Sequence, residues 1–148
     1  MMLEREFFRD PTLEEYLGGA FLIFGIVTLV LQVSGGIITY KGLEEKFYTF
    51  SPILLLLLYF LLHIGSAWLG SYLVVRRIRN TRIRLIRAGL LTGLAAYVVE
   101  ALTTLLIVRA FPESLWALIG YLSGGCLGGY TVSFLTSRKA QEKPSEAE

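Results

Sequence analysis

The chain contains four long apolar stretches, and each has the length of a helix that crosses a lipid bilayer. A spanning helix needs about 20 residues, and none of the four alternates apolar and polar residues like a membrane β-strand. Because backbone amides in hydrocarbon need internal partners, helices are the remaining choice. The sequence predicts an all-α membrane protein, a single domain over residues 1–148 built as a four-transmembrane-helix bundle. The predicted spans are residues 17–40, 52–75, 88–108 and 114–137.

Composition limits the chemistry that such a chain can perform. Hydrophobic residues make up 54% of the sequence, which is high for a soluble domain. A single cysteine, Cys126, and a single histidine, His63, exclude an internal disulfide, a cysteine-based metal cage and a multi-histidine site within one chain. No phosphate-binding loop, dinucleotide fingerprint or metalloprotease motif occurs. We therefore expect a protein that is not an enzyme and that holds no metal and no cofactor.

The first apolar stretch is predicted to be a retained span and not a cleaved signal peptide. It exceeds the usual h-region of about 7–15 residues, and two acidic residues, Glu14 and Glu15, precede it directly. Pro11 ends the preceding segment, and Thr12 with Glu15 has the spacing of a capping box. These residues predict a helix that starts close to Thr12.

Basic residues between the second and third spans predict the orientation of the chain. No acidic residue occurs between Glu45 and Glu100, and short loops rich in Lys and Arg stay on the cytoplasmic side. We expect both termini in the cytoplasm (N-in, C-in), two antiparallel helical hairpins in the cell membrane, and a short charged cytoplasmic tail over residues 138–148. The arginines of this basic loop are Arg76, Arg77, Arg79, Arg82, Arg84 and Arg87.

The same arginines suggest a membrane-lipid partner. Each basic residue near a surface of anionic headgroups adds about 1 kcal/mol of attraction, although orientation alone already accounts for their presence. An acidic protein partner is the other possibility. Nucleic-acid binding is not expected, because no supporting fold or aromatic platform accompanies the charge.

Small residues at four-residue spacing predict how the helices pack. Such residues leave a groove in which another helix backbone can approach closely, a glycine-zipper arrangement. The fourth span has two adjacent lanes of them, which is more small surface than one partner helix requires, so a homo-oligomer or a larger membrane complex is expected. The predicted packing residues are Gly89, Gly93, Gly120, Gly124, Gly125, Gly128, Gly129, Ser66 and Gly70.

Two ionisable residues interrupt the apolar spans. Glu100 shares a helical face with Gly89 and Gly93, and His63 lies at a similar depth in the second span. A contact between the two is therefore geometrically available inside the bundle. It could couple a proton or an ion, the default expectation for ionisable residues in a membrane. It could also be a hydrogen bond that fixes helix register.

Two segments carry a resemblance. The residues GSAWLGSYLVVRR and RAGLLTGLAAYVV, followed by a glycine-rich last span, resemble small glycine-rich four-span integral membrane proteins of unknown function. The resemblance covers residues 65–129 and implies a membrane fold without implying an activity. From the residues themselves we expect a structural or accessory subunit of a membrane complex or homo-oligomer. A small proton-coupled transporter or channel that uses Glu100 and His63 is the alternative.

Overall fold

A computed structural model describes residues 10–42, 52–78, 81–108 and 115–141. These residues form four helices, each long and apolar enough to cross a membrane. The shortest has 24 residues and is about 36 Å long at 1.5 Å per residue, more than the roughly 30 Å of a hydrocarbon core. The predicted all-helical architecture with four candidate spans is confirmed, and it indicates a multi-pass membrane protein. The helices are α1 (Leu13–Tyr40), α2 (Pro52–Val75), α3 (Arg82–Val108) and α4 (Leu115–Gln141).

Helix α1 begins at the predicted capping box and ends at a glycine. The backbone N–H of Glu15 donates to Oγ1 of Thr12 at 3.3 Å, and the backbone N–H of Thr12 donates to Oε2 of Glu15 at 2.9 Å. At the other end, the N–H of Gly42 donates to the carbonyl of Thr39 at 3.0 Å. Gly42 has a φ of 61°, a left-handed conformation that glycine adopts without a steric penalty.

The last two helices extend beyond their predicted spans. Helix α3 begins at Arg82, six residues before the predicted position 88, and α4 continues to Gln141 instead of ending at 137. Arg, Lys and Gln are good helix formers, so a helix can continue after its apolar stretch has ended. Residues 138–141 of the predicted tail therefore belong to α4, and residues 142–148 lie outside the described part of the chain.

Helix α4 lies between α2 and α3 and uses a different glycine lane against each. Gly120, Gly124 and Gly128 face α2. A Cβ added at Gly120 would lie 2.8 Å from Cβ of His63, and a Cβ added at Gly128 would lie 2.7 Å from the carbonyl oxygen of Trp68. These distances are too short for any side chain, so the two backbones touch directly. The contacts advance in the same order along both helices, so α2 and α4 run parallel.

The second lane of α4 packs against α3. Gly125 and Gly129 meet the backbone of α3 near Gly89, and Gly93 of α3 meets the carbonyl group of Tyr121. An added Cβ at Gly89 would lie 3.0 Å from the backbone nitrogen of Gly129. The order of these contacts is reversed, so α3 and α4 run antiparallel. Both small-residue lanes of α4 are thus occupied by helices of the same chain.

Among the described residues, α1 packs against the other helices mainly through its first half. Gly19 lies against Val74 of α2 and Thr92 of α3, where an added Cβ would be 2.5 Å and 2.8 Å from the two side-chain methyl groups. Ile23 fills the space above Gly70 of α2. From residue 29 to residue 37 every side chain of α1 is exposed. The side chains of residues 29–37 are therefore not covered by the described parts of the other helices.

Two apolar clusters form the core, and small residues are prominent in both. The first surrounds the middle of the bundle, and the second lies toward the end where α2 finishes and α3 begins. Small side chains allow the close backbone approach that holds membrane helices together, because lipid chains are as apolar as a leucine-rich core. The first cluster contains Ala20, Ile23, Val27, Ala67, Ala96, Ala117 and Tyr121. The second contains Val75, Ile78, Leu85, Ala88 and Val132.

Candidate functional site

The candidate site is centred on His63, halfway along α2. Its side chain is completely buried, and Nδ1 lies 2.7 Å from the carbonyl oxygen of Tyr59, one turn earlier on the same helix. Oγ of Ser66 donates to the carbonyl of His63 at 3.2 Å. The imidazole ring is therefore held by its own helix, with its other nitrogen, Nε2, directed away from α2.

Glu100 of α3 faces the free edge of this ring. Its Oε2 lies 3.6 Å from Nε2 of His63, slightly beyond a hydrogen bond and within range of an ion pair. The two side chains differ in exposure, since His63 is 0% exposed and Glu100 is 17% exposed. Two residues 37 positions apart in sequence thus meet inside the bundle, as their similar depth along the helices allows.

Two tyrosines complete the site. The rings of Tyr59 and Tyr121 lie against the imidazole, with centroid separations of 4.1 Å and 4.8 Å. Both phenol groups also lie beside the carboxyl group of Glu100, although the hydroxyl oxygen of Tyr121 makes no hydrogen bond to it. We call Tyr59, His63, Glu100 and Tyr121 the polar cluster. It draws on α2, α3 and α4, so it lies where three helices meet.

The polar cluster contains atoms that lack a hydrogen bond. Nε2 of His63, Oε2 of Glu100 and the hydroxyl oxygen of Tyr121 are all buried, and none has a hydrogen-bond partner among the described residues. A buried polar group without a partner costs roughly 1–3 kcal/mol. Two of these atoms, Nε2 of His63 and Oε2 of Glu100, face each other at 3.6 Å, just beyond hydrogen-bonding distance.

The described residues do not include a cluster suited to a metal. No group of three or more His, Cys, Asp or Glu side chains could hold an ion there. The polar cluster has one imidazole and one carboxylate, with tyrosines as the remaining polar side chains.

The described arginines of the predicted basic loop lie at one end of the molecule. Arg76, Arg77, Arg82, Arg84 and Arg87 are all exposed, whereas Arg79 lies outside the described residues. The guanidinium of Arg82 stands 4.9 Å from the centre of the Tyr130 ring of α4, a cation–π arrangement.

An open groove lies at the same end, between α1 and α2. Its volume is about 230 Å³, and Arg77 and Glu15 border it. Its walls include Leu22, Leu73 and Val74. The groove thus joins an apolar surface to a charged rim.

The face of α1 that points away from the other described helices carries a feature that was not predicted from the sequence. Gly18, Gly25 and Gln32 are spaced seven residues apart, and Gly36 follows one turn later, so all four lie along one side of the helix. We call these four residues the α1 outer lane. All are exposed, and an added Cβ at any of the three glycines would meet nothing within 4 Å. The lane lies opposite the face that Ala20, Ile23 and Val27 bury.

Sequence reasoning missed Tyr121 and the α1 outer lane. Tyr121 immediately follows Gly120 and precedes Gly124 by one turn, so its position among packing glycines was a signal that it faces the interior. The heptad spacing of Gly18, Gly25 and Gln32 was also visible in the sequence. In comparisons with protein-family models, curated proteins and solved structures, nothing matched this chain.

Proposed function

We propose that this protein is a structural or accessory membrane subunit that assembles with a second copy of itself through the α1 outer lane. The observation that carries the proposal is Gln32, a polar side chain exposed on an otherwise glycine-lined and leucine-lined face of an apolar helix. An amide group that faces lipid has no partner for its donors and acceptors, which is costly. A neighbouring helix removes that cost.

A second copy suits this face because both of its features are self-complementary. The amide of Gln32 both donates and accepts hydrogen bonds, so two such groups can pair across a two-fold axis. Gly25 and Gly36 permit close approach of an identical helix, and the seven-residue spacing of Gly25 and Gln32 favours left-handed pairing of two helices. A symmetric dimer uses the same patch on both subunits.

The basic loop is proposed to face the cytoplasm, with both termini on that side of the cell membrane. The exposed arginines support this orientation through the positive-inside rule. The groove beside Arg77 supports a lipid with an anionic headgroup as a further partner, since its walls suit an acyl chain and the guanidinium suits a phosphate.

Self-association can be tested with a matched pair of variants, Gly25→Leu and Gly65→Leu. Neither glycine has an atom within 4 Å of an added Cβ, so neither change should disturb the fold. Energy transfer between labelled copies in vesicles, measured over a series of protein-to-lipid ratios, should weaken at least tenfold for Gly25→Leu and stay unchanged for Gly65→Leu. Equal association of wild type and Gly25→Leu would refute the proposal.

A second candidate function, proton-coupled transport, is favoured by the polar cluster. Ionisable residues buried among membrane helices commonly mark ion pathways, and the contact between His63 and Glu100 provides such a pair. If Glu100→Gln removes a pH-dependent flux in proteoliposomes while leaving self-association intact, transport is the function. If no flux depends on Glu100, the accessory function stands alone.

A further inference from the structure

The position of one proton in the polar cluster follows from geometry. A backbone carbonyl can only accept a hydrogen bond, so the 2.7 Å contact between Nδ1 of His63 and the carbonyl oxygen of Tyr59 requires a hydrogen on Nδ1. In a neutral imidazole the other nitrogen then carries a lone pair. That nitrogen, Nε2, is the one that faces Glu100.

The contact between Nε2 and Oε2 needs one further proton. With none, a carboxylate oxygen faces a lone pair on nitrogen, and the two atoms repel. With two, an imidazolium N–H faces a carboxylic acid, and the cluster carries an uncompensated buried charge. With one, either Nε2–H donates to the carboxylate or the carboxylic acid donates to Nε2. Both one-proton forms have zero net charge, which is the least costly state in a low-dielectric interior.

Apart from His63, the described titratable groups that act on the Glu100 carboxyl group are two phenols. Helix α2 contributes the phenol of Tyr59, α4 contributes the phenol of Tyr121, and these are the titratable neighbours that act on the Glu100 carboxyl group. Helix α1 contributes the apolar side chains of Ala20, Ile23 and Val27 to this part of the core. Among the described residues, His63 and Glu100 are therefore the two groups that determine how many protons the site holds.

We propose that His63 and Glu100 form a binding site for a single proton inside the helix bundle, and that Glu100 is the residue through which this proton exchanges. The imidazole is sealed, with 0% exposure, whereas the Glu100 side chain keeps 17%. The orphaned hydroxyl of Tyr121 is a third polar group beside the carboxyl group. The proton-binding site lies on α2, α3 and α4, away from the α1 outer lane, so it goes beyond the proposed assembly function.

The single histidine of the chain makes a direct test possible. Full-length protein carrying ¹⁵N-histidine and ¹³C-glutamate, purified without a histidine tag and placed in lipid nanodiscs, gives imidazole signals from His63 alone. Nuclear magnetic resonance over a pH series should show Nδ1 protonated throughout the range in which the fold persists. The signals of Nε2 and of the Glu100 carboxyl carbon should change together, in one common step, because two strongly coupled groups titrate as a pair.

Two variants separate proton sharing from simple packing. Glu100→Gln keeps the shape of the side chain and can still donate to Nε2, but it cannot release a proton, so the common step should be lost while the helical spectrum is retained. Thr103→Val is the matched control one turn away, since Oγ1 of Thr103 donates only to the carbonyl of Val99 at 2.7 Å. It should leave the step unchanged. Three results would overturn the proposal. They are an Nδ1 without a proton, different midpoint pH values for His63 and Glu100, and a pH-dependent change at Nε2 that persists in Glu100→Gln.

Discussion

Adding a single methyl group to Gly125 should separate α4 from α3. In the structure, a Cβ at this position would meet the carbonyl oxygen of Gly89, lie 3.1 Å from its carbonyl carbon, and lie 3.4 Å from Cα of Leu90. All three are backbone atoms, which cannot rotate away as the end of a flexible side chain can. The variant Gly125→Ala can therefore be accommodated only if the two helices move apart.

The magnitude follows from two opposing effects. Overpacking a well-packed interior typically costs about 1–3 kcal/mol, and the upper value applies here because backbone faces backbone. Alanine is about 1 kcal/mol more favourable than glycine within a helix. The net destabilisation of Gly125→Ala is therefore about 2 kcal/mol. At Gly65, where an added Cβ meets nothing within 4 Å, only the helix preference remains, so Gly65→Ala should stabilise by up to about 1 kcal/mol.

The assay compares the free energy of unfolding of both variants with that of the wild type, in mixed micelles of a mild and a denaturing detergent. The two variants should differ from each other by about 3 kcal/mol, which is more than a hundredfold in the unfolding equilibrium constant. Because both variants carry the same chemical change, detergent effects on alanine itself cancel. Equal stabilities, or a Gly125→Ala protein more stable than the wild type, would refute the backbone contact between α3 and α4.

Two further variants test single hydrogen bonds. Ser71→Ala removes the hydrogen bond that the buried Oγ of Ser71 donates from α2 to the carbonyl of Gly89 on α3 at 3.2 Å. The free energy of unfolding should fall by about 0.6–1.7 kcal/mol. An unchanged free energy would mean that this hydrogen bond does not stabilise the fold. Thr12→Ala removes the side-chain oxygen that accepts the backbone N–H of Glu15 in the capping box, which should destabilise the start of α1 by about 1 kcal/mol. Hydrogen exchange should therefore accelerate at the backbone amides of Glu15 and Tyr16, while the amide of Gly70 keeps its rate. Uniform acceleration along the chain would contradict a local capping role.

A span boundary could be predicted where the apolar stretch and the helix end at the same residue. Pro52 and Val75 bound both the predicted span and the observed α2, because proline is tolerated in the first turn and arginines follow directly. The start of α3 could not be predicted from hydropathy, since the residues from Arg82 to Arg87 are helical without being uniformly apolar.

Within the site, the ionisable residues His63 and Glu100 could be recognised from the sequence more easily than the tyrosines beside them. Glu100 and His63 stand out because ionisable residues are rare in apolar spans. Tyr121 does not, because a tyrosine is equally at home at a membrane interface and in a core. Helical spacing also shows which residues share a face but not which helix covers that face. The two glycine lanes of α4 illustrate this, since both are covered by helices of the same chain.

Cross-linking at Gly36 tests the proposed assembly most directly, because it leaves Gln32 in place. With Cys126→Ser as the background, Gly36→Cys places a thiol on the α1 outer lane, where an added Cβ meets nothing within 4 Å. Ser34→Cys places a thiol on an exposed position of the same helix turned about 160° away from Gly36. Mild oxidation in native membranes should produce a disulfide-linked dimer with Gly36→Cys and leave Ser34→Cys monomeric. A monomer with Gly36→Cys, or equal dimer yields at the two positions, would contradict self-assembly through this face.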